Sequence, residues 1–310
     1  MNQRAAFSLL CLTFAVAVSL DPAYAHAQEL VKNSTLPRGL GFAAEYAHDA
    51  QIQQYPAVIF ADDFESGEIA KRWDEQNNKE GKPLSFSDCS ADGAPTGKRS
   101  LKVTADLEQN QGGGLTRWFE SADKLFIRFY TKFDEDCHYV HHFCTLRANR
   151  ALSGGDRWSG FGGAGALPDG QRRFSTAIEP WGNWGEFTPP GKWNFYSYWH
   201  EMKPSPDKKY WGNSFLPESQ SNIERGRWHC VEFMLQHNTP SQPDGEQAFW
   251  IDGELQGHWK GYNWRTDAKL KANAFTLESY VTNRWTKQRV NIVYFDNVVI
   301  AKEYIGPAGR

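Results

Sequence analysis

Residues 193 to 202 read Trp-Asn-Phe-Tyr-Ser-Tyr-Trp-His-Glu-Met, and this stretch predicts a β-strand whose two faces differ in chemistry. Successive side chains of a strand point to opposite sides of its sheet. One side then carries three aromatic rings and a hydroxyl, from Trp193, Phe195, Trp199 and Ser197. The other side carries an amide, two phenols and an imidazole, from Asn194, Tyr196, Tyr198 and His200. The first set suits a protein core, and the second suits a surface that binds polysaccharide.

Ten further segments share high β-propensity and lie between clusters of Gly, Pro, Asn and Asp. With the stretch above, the predicted strands are Ala57–Phe64, Ser100–Ala105, Gly113–Phe119, Lys124–Phe133, His141–Ala148, Arg173–Glu179, Trp193–Met202, Arg227–His237, Glu246–Ile251, Ala274–Val281 and Val290–Ala301. No long amphipathic helix competes with them. The pattern predicts an all-β sandwich of two curved antiparallel sheets, with one concave surface open to a ligand.

The strand predicted for residues 125 to 133 carries a second polar row. Its apolar set, Leu125, Ile127, Phe129 and Phe133, is expected in the core. Arg128, Tyr130 and Lys132 then lie together on the outer side. We expect this row to line the same concave surface as Tyr196, Tyr198 and His200.

Composition excludes a nucleic-acid partner and favours a ligand that packs on aromatic rings. The 310-residue chain has a formal charge of −3 and no run of Lys or Arg, so it lacks the basic footprint of nucleic-acid binding. It contains 13 Trp, 12 Tyr and 20 Phe. Core packing accounts for most of these rings, and we expect some of the others to face a ligand.

The first residues predict an export signal. Arg4 precedes an apolar run from Ala5 to Leu20, and Ala23-Tyr24-Ala25 supplies small residues for cleavage. We therefore expect a signal peptide over 1–27, an N-terminal leader over 28–56 that either wraps the domain or stays loose, and one domain over 57–310. The apolar run is short for a membrane anchor and no second one follows, so the protein is expected to be secreted or periplasmic, and monomeric.

Four cysteines remain after removal of the signal: Cys89, Cys137, Cys144 and Cys230. An even number in an exported chain is compatible with one or two disulfides. Buried free thiols are the alternative.

Several motifs resemble the concanavalin-A-like jelly-roll superfamily, in particular its secreted polysaccharide lyases. The motifs are Asp62-Asp63-Phe64-Glu65-Ser66-Gly67, Gly226-Arg227-Trp228-His229-Cys230-Val231-Glu232, Asp244-Gly245-Glu246, Trp250-Ile251-Asp252-Gly253 and Tyr294-Phe295-Asp296-Asn297-Val298-Val299-Ile300. They span nearly all of the predicted domain and are scaffold signatures, with a hairpin tip at Asp252-Gly253. The resemblance implies a jelly-roll fold and activity on polysaccharides. The Glu-x-Asp-x-x-Glu signature of the superfamily's glycoside hydrolases is missing, as are the usual motifs of its alginate lyases.

β-Elimination on a uronic-acid polymer is the chemistry that the polar residues suit best. It needs a group that neutralises the sugar carboxylate, a base for the C5 proton and an acid for the leaving oxygen. We expect His200 to act as base, Tyr198 or Tyr196 as proton donor, and Arg147 or His142 to lie near the carboxylate. The predicted substrate-binding residues are Arg128, Tyr130, Lys132, Glu179, Trp181, Asn194, Tyr196, Tyr210 and Trp211.

Two other functions remain open: a lectin-like module that only binds polysaccharide, and a glycoside hydrolase that uses Glu179 and Glu201. No cofactor is expected for catalysis. Asp63, Glu65 and Asp296 are candidates for a structural Ca²⁺ between the first and last strands, since this ion prefers oxygen ligands. Turn formation near the start of the domain is the alternative role for these acids.

Overall fold

The computed structural model describes residues 31–78, 82–90 and 97–309. The predicted signal peptide and the first residues of the leader lie outside these ranges. Within them the chain forms two antiparallel sheets that pack face to face. The short helical segments are one α-helical turn, α1 (Ile69–Arg72), and the 3-10 segments Phe42–Glu45, Ile52–Gln54, Gly155–Trp158 and Asn183–Gly185. No helix in the described residues is both long and apolar enough to cross a membrane.

The described residues contain fifteen strands. In chain order they are β1 (Val58–Asp62), β2 (Glu75–Asn77), β3 (Leu84–Asp88), β4 (Arg99–Asp106), β5 (Gly112–Trp118), β6 (Lys124–Phe133), β7 (Cys144–Asn149), β8 (Ser175–Trp181), β9 (Lys192–Tyr198), β10 (Asn213–Phe215), β11 (Trp228–Gln236), β12 (Gly245–Ile251), β13 (Glu254–Tyr262), β14 (Lys271–Tyr280) and β15 (Val290–Ala301). The first sheet has the order β13-β12-β11-β6-β15-β4-β3, with β1 also paired to β15. The second sheet has the order β10-β9-β8-β7-β14-β5-β2.

The all-β prediction is confirmed, and each of the eleven predicted strands corresponds to one observed strand. The four strands absent from the prediction are β2, β3, β10 and β13. β2 and β10 have only three residues, too few for a periodic pattern. The hairpin tip between β12 and β13 is where the sequence predicts it, because Asp252 and Gly253 both take positive φ angles, as a tight two-residue turn requires.

The core lies between the two sheets and is rich in aromatic rings. Trp193 and Phe195 of β9 are buried there, as predicted, and so are the apolar residues of β6. Phe195 packs edge-on against Phe249 of the opposite sheet with ring centroids 5.3 Å apart. Trp199 is partly buried on the same side, 5.4 Å from the ring of Tyr262.

A second apolar cluster covers the outer face of the first sheet. Both ends of the described chain contribute to it, through residues 42–58 and 299–305, and they pack on β6, β11 and β12. The two terminal segments also bond to each other: the Ala43 N–H donates to the Ile305 carbonyl at 2.9 Å, and the Gly309 N–H donates to the Ala43 carbonyl at 3.1 Å. Residues 42–58 and 299–309 therefore cover part of the outer face of the first sheet.

This arrangement contradicts the predicted place of Arg128, Tyr130 and Lys132. They belong to β6 in the first sheet, whereas Tyr196 and Tyr198 belong to β9 in the second. Arg128 is fully buried under the leader and forms an ion pair with Asp49. The alternation along β6 predicts the correct side of the strand but not the segment that covers it.

The other two residues of the row are also buried in packing contacts. Tyr130 accepts a hydrogen bond from the Ala308 N–H at 2.8 Å. The Lys132 ammonium lies 4.8 Å from the ring centre of Tyr294 and 5.4 Å from that of Trp228. None of the three is therefore placed to bind substrate.

The four cysteines are buried, and Cys137, Cys144 and Cys230 are free thiols. For these three, the structure shows the second of the two alternatives left open by the sequence.

Candidate active site on the outer face of the second sheet

The outer face of the second sheet carries polar side chains from four adjacent strands. The register of β8 and β9 places Tyr198 opposite Ser175, Tyr196 opposite Ala177, and Asn194 opposite Glu179. The next strands, β7 and β14, add two charged residues, Arg147 and Glu278. These side chains, with His142 just before β7, form what we call the candidate site.

Tyr196 and Tyr198 form a pair at the β9 edge of the site. Their rings meet edge to face with centroids 5.4 Å apart, and the Tyr198 hydroxyl donates to the Tyr196 hydroxyl at 3.4 Å. The Tyr196 ring lies against Gly212, where a Cβ atom would come within 2.5 Å of the ring. Burial raises the pKa of Tyr196, so this phenol stays protonated and is suited to donate a proton.

His142 forms an ion pair with Glu179. The His142 Nδ1 lies 3.6 Å from Glu179 Oε2, and 41% of the His142 side chain is exposed against 6% for Glu179. Burial opposes protonation of His142, but the carboxylates of Glu179 and Glu278 outweigh it and raise its pKa. Burial also raises the pKa of Glu179. The pair thus holds a proton that can be shared with a bound carboxylate.

His141 stacks on His142 with ring centroids 4.2 Å apart, yet its electrostatic environment differs. Burial and the neighbouring His142 and Arg284 lower the pKa of His141 to about 4. The pKa values of the consecutive histidines thus shift in opposite directions: His141 is neutral near pH 7, and His142 is the one paired with a carboxylate.

Arg147 lies on β7, level with Tyr198 of β9 across the intervening strand β8. Its guanidinium is 3.5 Å from Glu278 Oε1 and from the Thr276 hydroxyl, and it lies 4.8 Å from the ring centre of Phe161. Burial lowers the pKa of Arg147, while Glu278 and the nearby Tyr198 oppose this shift. The arginine remains a cation within electrostatic reach of the Tyr198 phenol.

Arg173 is a second cation near Tyr198, and sequence reasoning missed it. Its guanidinium donates to the carbonyls of Gly163 and Ala166 at 2.8 and 2.5 Å. Burial lowers the pKa of Arg173, and Tyr198 partly offsets this shift. The sequence places Arg173 at the start of the predicted strand Arg173–Glu179, and this was the one indication that it lies near the site. Its position also depends on the loop that carries Gly163 and Ala166, and that loop shows no periodic pattern in the sequence.

His200 does not continue the row of β9 as predicted. The strand ends at Tyr198, and residues 199–202 form a turn closed by a hydrogen bond from the Met202 N–H to the Trp199 carbonyl. His200 Nε2 lies 3.6 Å from Glu201 Oε1, and the ring packs against Gly170. His200 Nδ1 is buried and has no hydrogen-bond partner among the described residues.

Other predicted binding residues lie around the site in different environments. Asn194 is fully buried and accepts the Phe215 N–H at 3.0 Å, so it positions β10 rather than facing a ligand. Tyr210 pairs its backbone with Gly165, and Trp211 stacks over the same glycine with 37% of its surface exposed. These two residues precede Gly212 and therefore border the Tyr196 side of the site. Trp181 lies at the opposite end of β8, in contact with Trp184 and Trp285.

The candidate calcium ligands lie far from this face, where β1 and β15 pair in the first sheet. Glu65 Oε1 accepts the N–H groups of Lys98 and Arg99 at 2.8 and 2.6 Å. Asp296 Oδ1 accepts the Asn297 N–H at 2.9 Å, and its Oδ2 is buried without a partner. Burial, together with Glu65 and Asp63, raises the pKa of Asp296 to about 9.

The unpartnered carboxylate oxygen of Asp296 fits a cation, but the acids are not gathered into a ligand set. Within residues 31–78, 82–90 and 97–309, no three His, Cys, Asp or Glu side chains are grouped closely enough to hold a metal. Any ion bound here would need backbone carbonyls as further ligands, as the sequence predicts. The calcium site stays a prediction.

Comparison with known proteins supports the fold. No protein-family model and no curated sequence matches the chain. Solved structures do: an alginate lyase from Chlorella virus matches with a TM-score of 0.59 and 16% identity, covering 80% of this chain and 100% of its own. A marine alginate lyase from Aplysia kurodai matches with a TM-score of 0.56 and 13% identity, covering 79% and 99%.

A mutant of the alginate lyase Aly36B, solved with an alginate tetrasaccharide, matches with a TM-score of 0.55 and 17% identity, covering 87% of this chain and 99% of its own. Identities this low establish the fold alone. The chain has the concanavalin-A-like jelly-roll fold that the sequence motifs predict.

Proposed function

We propose that this protein is a lyase that cleaves an acidic, uronic-acid-containing polysaccharide by β-elimination on the outer face of the second sheet. One observation carries the proposal: the phenol of Tyr198 lies within electrostatic reach of two guanidiniums, from Arg147 and Arg173, and beside a second, protonated phenol. The fold shared with alginate lyases supports it.

Arg147 and the His142–Glu179 pair are assigned to the sugar carboxylate. Removal of the C5 proton places negative charge on this carboxylate, and cationic or proton-donating groups stabilise it. Arg147 is a cation level with Tyr198. His142, whose ring centre lies 6.2 Å from that of Tyr196, supplies a proton near the other tyrosine. The sequence predicts this role for both residues.

Tyr198 is assigned to the proton transfer. The guanidiniums of Arg147 and Arg173 lie within electrostatic reach of its hydroxyl and can compensate the negative charge that develops there during the reaction. The phenolate takes the C5 proton, a double bond forms between C4 and C5, and the bond from C4 to the glycosidic oxygen breaks. The leaving oxygen then receives a proton from Tyr198 or through the adjacent Tyr196. No cofactor is needed for these steps.

His200, predicted as the base, is replaced in this role because it lies in the turn beyond β9 and contacts Gly170 and Glu201. We propose it as a residue that shapes the edge of the site.

A hydrolase that uses Glu179 and Glu201 does not fit this geometry. Glu179 lies opposite Asn194, so four residues of β9, about 13 Å, separate it from the level of Tyr198, and Glu201 lies beyond that level. The carboxyl pairs of most glycosidases lie about 5 to 10 Å apart.

The test is to incubate the purified protein with a panel of uronic-acid polymers and follow the ultraviolet absorbance of the unsaturated product. We expect product with the wild type and a loss of at least about a hundredfold with Tyr198→Phe. Tyr55→Phe is the matched control, because the Tyr55 hydroxyl bonds only to Glu303 on the opposite side of the molecule. Binding without product would replace the lyase by a lectin-like module, and new reducing ends without absorbance would indicate a hydrolase.

We also propose that the protein acts outside the cytoplasm, since its first residues have the pattern of an export signal and a polymeric substrate is met there. We further propose that it acts as a monomer. Cell fractionation, and light scattering of the purified protein, test these two points.

A further inference from the structure

Three tryptophans lie together at the end of β8 nearest His142. The ring of Trp184 is 4.7 Å from that of Trp285 and 5.7 Å from that of Trp181, and Trp181 is 5.2 Å from Trp285. Trp184 is 70% exposed, although burial of so large an apolar ring would stabilise the fold. We call Trp181, Trp184 and Trp285 the tryptophan platform.

The backbone that carries Trp184 takes an unfavourable conformation. Asn183 and Trp184 have φ angles of 43° and 57°, in the left-handed region. For a residue with a bulky side chain this conformation is unfavourable. This conformation does not help to bury the Trp184 side chain, because the ring lies exposed to solvent. Strain of this kind is typical of residues that contact a ligand.

Arg284 adds a positive charge to the platform. Its guanidinium lies 5.2 Å from the ring centre of Trp285 and 5.7 Å from that of Trp184. In the part of the chain that the structure describes, no carboxylate forms an ion pair with Arg284. A cation held over aromatic rings without a carboxylate partner is suited to an anionic ligand.

The platform is continuous with the candidate site. The Trp285 ring lies 6.0 Å from His141, which stacks on His142 at 4.2 Å. A polymer that places one sugar against His142 would therefore extend over the tryptophans with its neighbouring sugars.

We propose that the platform and Arg284 form a binding subsite for an acidic sugar unit next to the one that is cleaved. The apolar face of the sugar ring stacks on Trp184 and its carboxylate binds Arg284. The proposal of this subsite rests on the proposed function, because that function identifies the polymer as a uronic-acid chain. It contributes affinity for longer chains and takes no part in the proton transfer.

The test measures binding of uronic-acid oligosaccharides of increasing length to the mature protein by calorimetry. Trp184→Asn removes the ring and keeps a residue that tolerates the left-handed conformation. We expect this variant to bind oligosaccharides that are long enough to reach the platform about tenfold more weakly, and the shortest ones unchanged. Arg284→Gln should weaken binding of the same oligosaccharides and reduce its dependence on salt.

Phe86→Ala is the matched control, since Phe86 is an exposed ring with an arginine, Arg99, at 5.5 Å on an edge of the first sheet. We expect it to bind all lengths as the wild type does.

Unchanged binding of long oligosaccharides by Trp184→Asn would overturn the subsite. Equal binding of neutral and acidic oligosaccharides by the wild type would overturn the role of Arg284. If the wild type binds acidic chains but releases no unsaturated product, the lyase proposal fails and the subsite stands. If the wild type binds no acidic chain of any length, both proposals fail.

Discussion

The outer faces of the two sheets carry similar residues in opposite environments. On the first sheet, Arg128 pairs with Asp49, and both side chains are almost completely buried under the terminal segments. On the second sheet, Arg147 pairs with Glu278, and each side chain keeps about a fifth of its surface exposed. An arginine–carboxylate pair therefore serves packing on one face and remains available for a ligand on the other.

The difference follows from what covers each face. The leader and the C-terminal segment provide partners for polar groups of the first sheet: Asp49 pairs with Arg128, and Glu232 accepts the N–H groups of Ile305 and Gly306, each at 2.8 Å. Over the second sheet, His142 remains 41% exposed. A buried charge must be paired to be tolerated, whereas a partly exposed one can exchange its partner for a substrate.

Replacing Arg128 should have the largest effect on stability. Arg128→Met leaves the buried carboxylate of Asp49 without its cation, and loss of one partner of a buried pair costs about 3 to 5 kcal/mol. Urea unfolding followed by fluorescence measures this loss. Arg147→Met is the control and should lower stability by no more than about 1 kcal/mol, since its pair is partly solvated. Equal losses in the two variants would show that the faces do not differ as described.

The same two positions should behave in the opposite way in catalysis. Arg147→Met is expected to lower kcat/KM on the cleaved polymer by about 10²- to 10³-fold, because a charge that stabilises the transition state is lost. Arg128→Met should retain wild-type kcat/KM per folded molecule at a temperature where it stays folded. A retained rate in Arg147→Met would remove that residue from the mechanism.

The sequence predicts the fold well because its information is local. Alternation along β6 and β9 identifies the core side of each strand from neighbouring residues alone. It cannot show which outer face is covered, since the contact between Asp49 and Arg128 joins residues 79 positions apart. For the same reason the polar row of β6 is indistinguishable in sequence from that of β9.

The candidate site was predicted in part, for related reasons. Arg147, His142, Tyr196 and Tyr198 lie on predicted strands or at their ends, and the structure brings them together. The predicted strand ran four residues too far, to Met202, and so misplaced His200, because a turn after Tyr198 leaves no periodic signal. Arg173 and Trp184 depend on loop conformations, which the sequence does not specify.

Binding of Ca²⁺ should have an effect of intermediate size, and it should change the stability of the protein without changing the reaction on the second sheet. If Asp296 binds the ion as predicted, Ca²⁺ at a hundred times its dissociation constant should stabilise the wild type by about 2.7 kcal/mol. Asp296→Asn should show no such gain, and in a chelator it should be at least as stable as the wild type, because a buried carboxylate has been removed. Thermal unfolding with and without Ca²⁺ measures both. The rate per folded molecule should not depend on Ca²⁺, since the site lies on the first sheet.

The smallest expected effect is a change in how the rate and the stability depend on pH. Two buried glutamates, one on each sheet, should change different quantities when they are replaced. Burial raises the pKa of both Glu179 on the second sheet and Glu232 on the first, the latter to about 7. Glu179 raises the pKa of His142, so protonated His142 persists to higher pH and is lost as the pH rises through that raised value. Glu179→Gln removes the carboxylate and leaves burial, so the alkaline limb of the rate should move to lower pH.

Glu232→Gln should leave that limb in place and change stability instead. A free glutamate ionises near pH 4.3. The wild type therefore loses stability as the pH rises from this value to the folded pKa of about 7, because the carboxyl ionises in the unfolded chain while it stays protonated in the folded one. The glutamine has no such ionisation, so the variant's stability should vary less over this range. Rate profiles and urea unfolding, measured on both variants from pH 5 to 9, test the pair. A shift of the rate profile in Glu232→Gln would mean that the covered face takes part in the reaction.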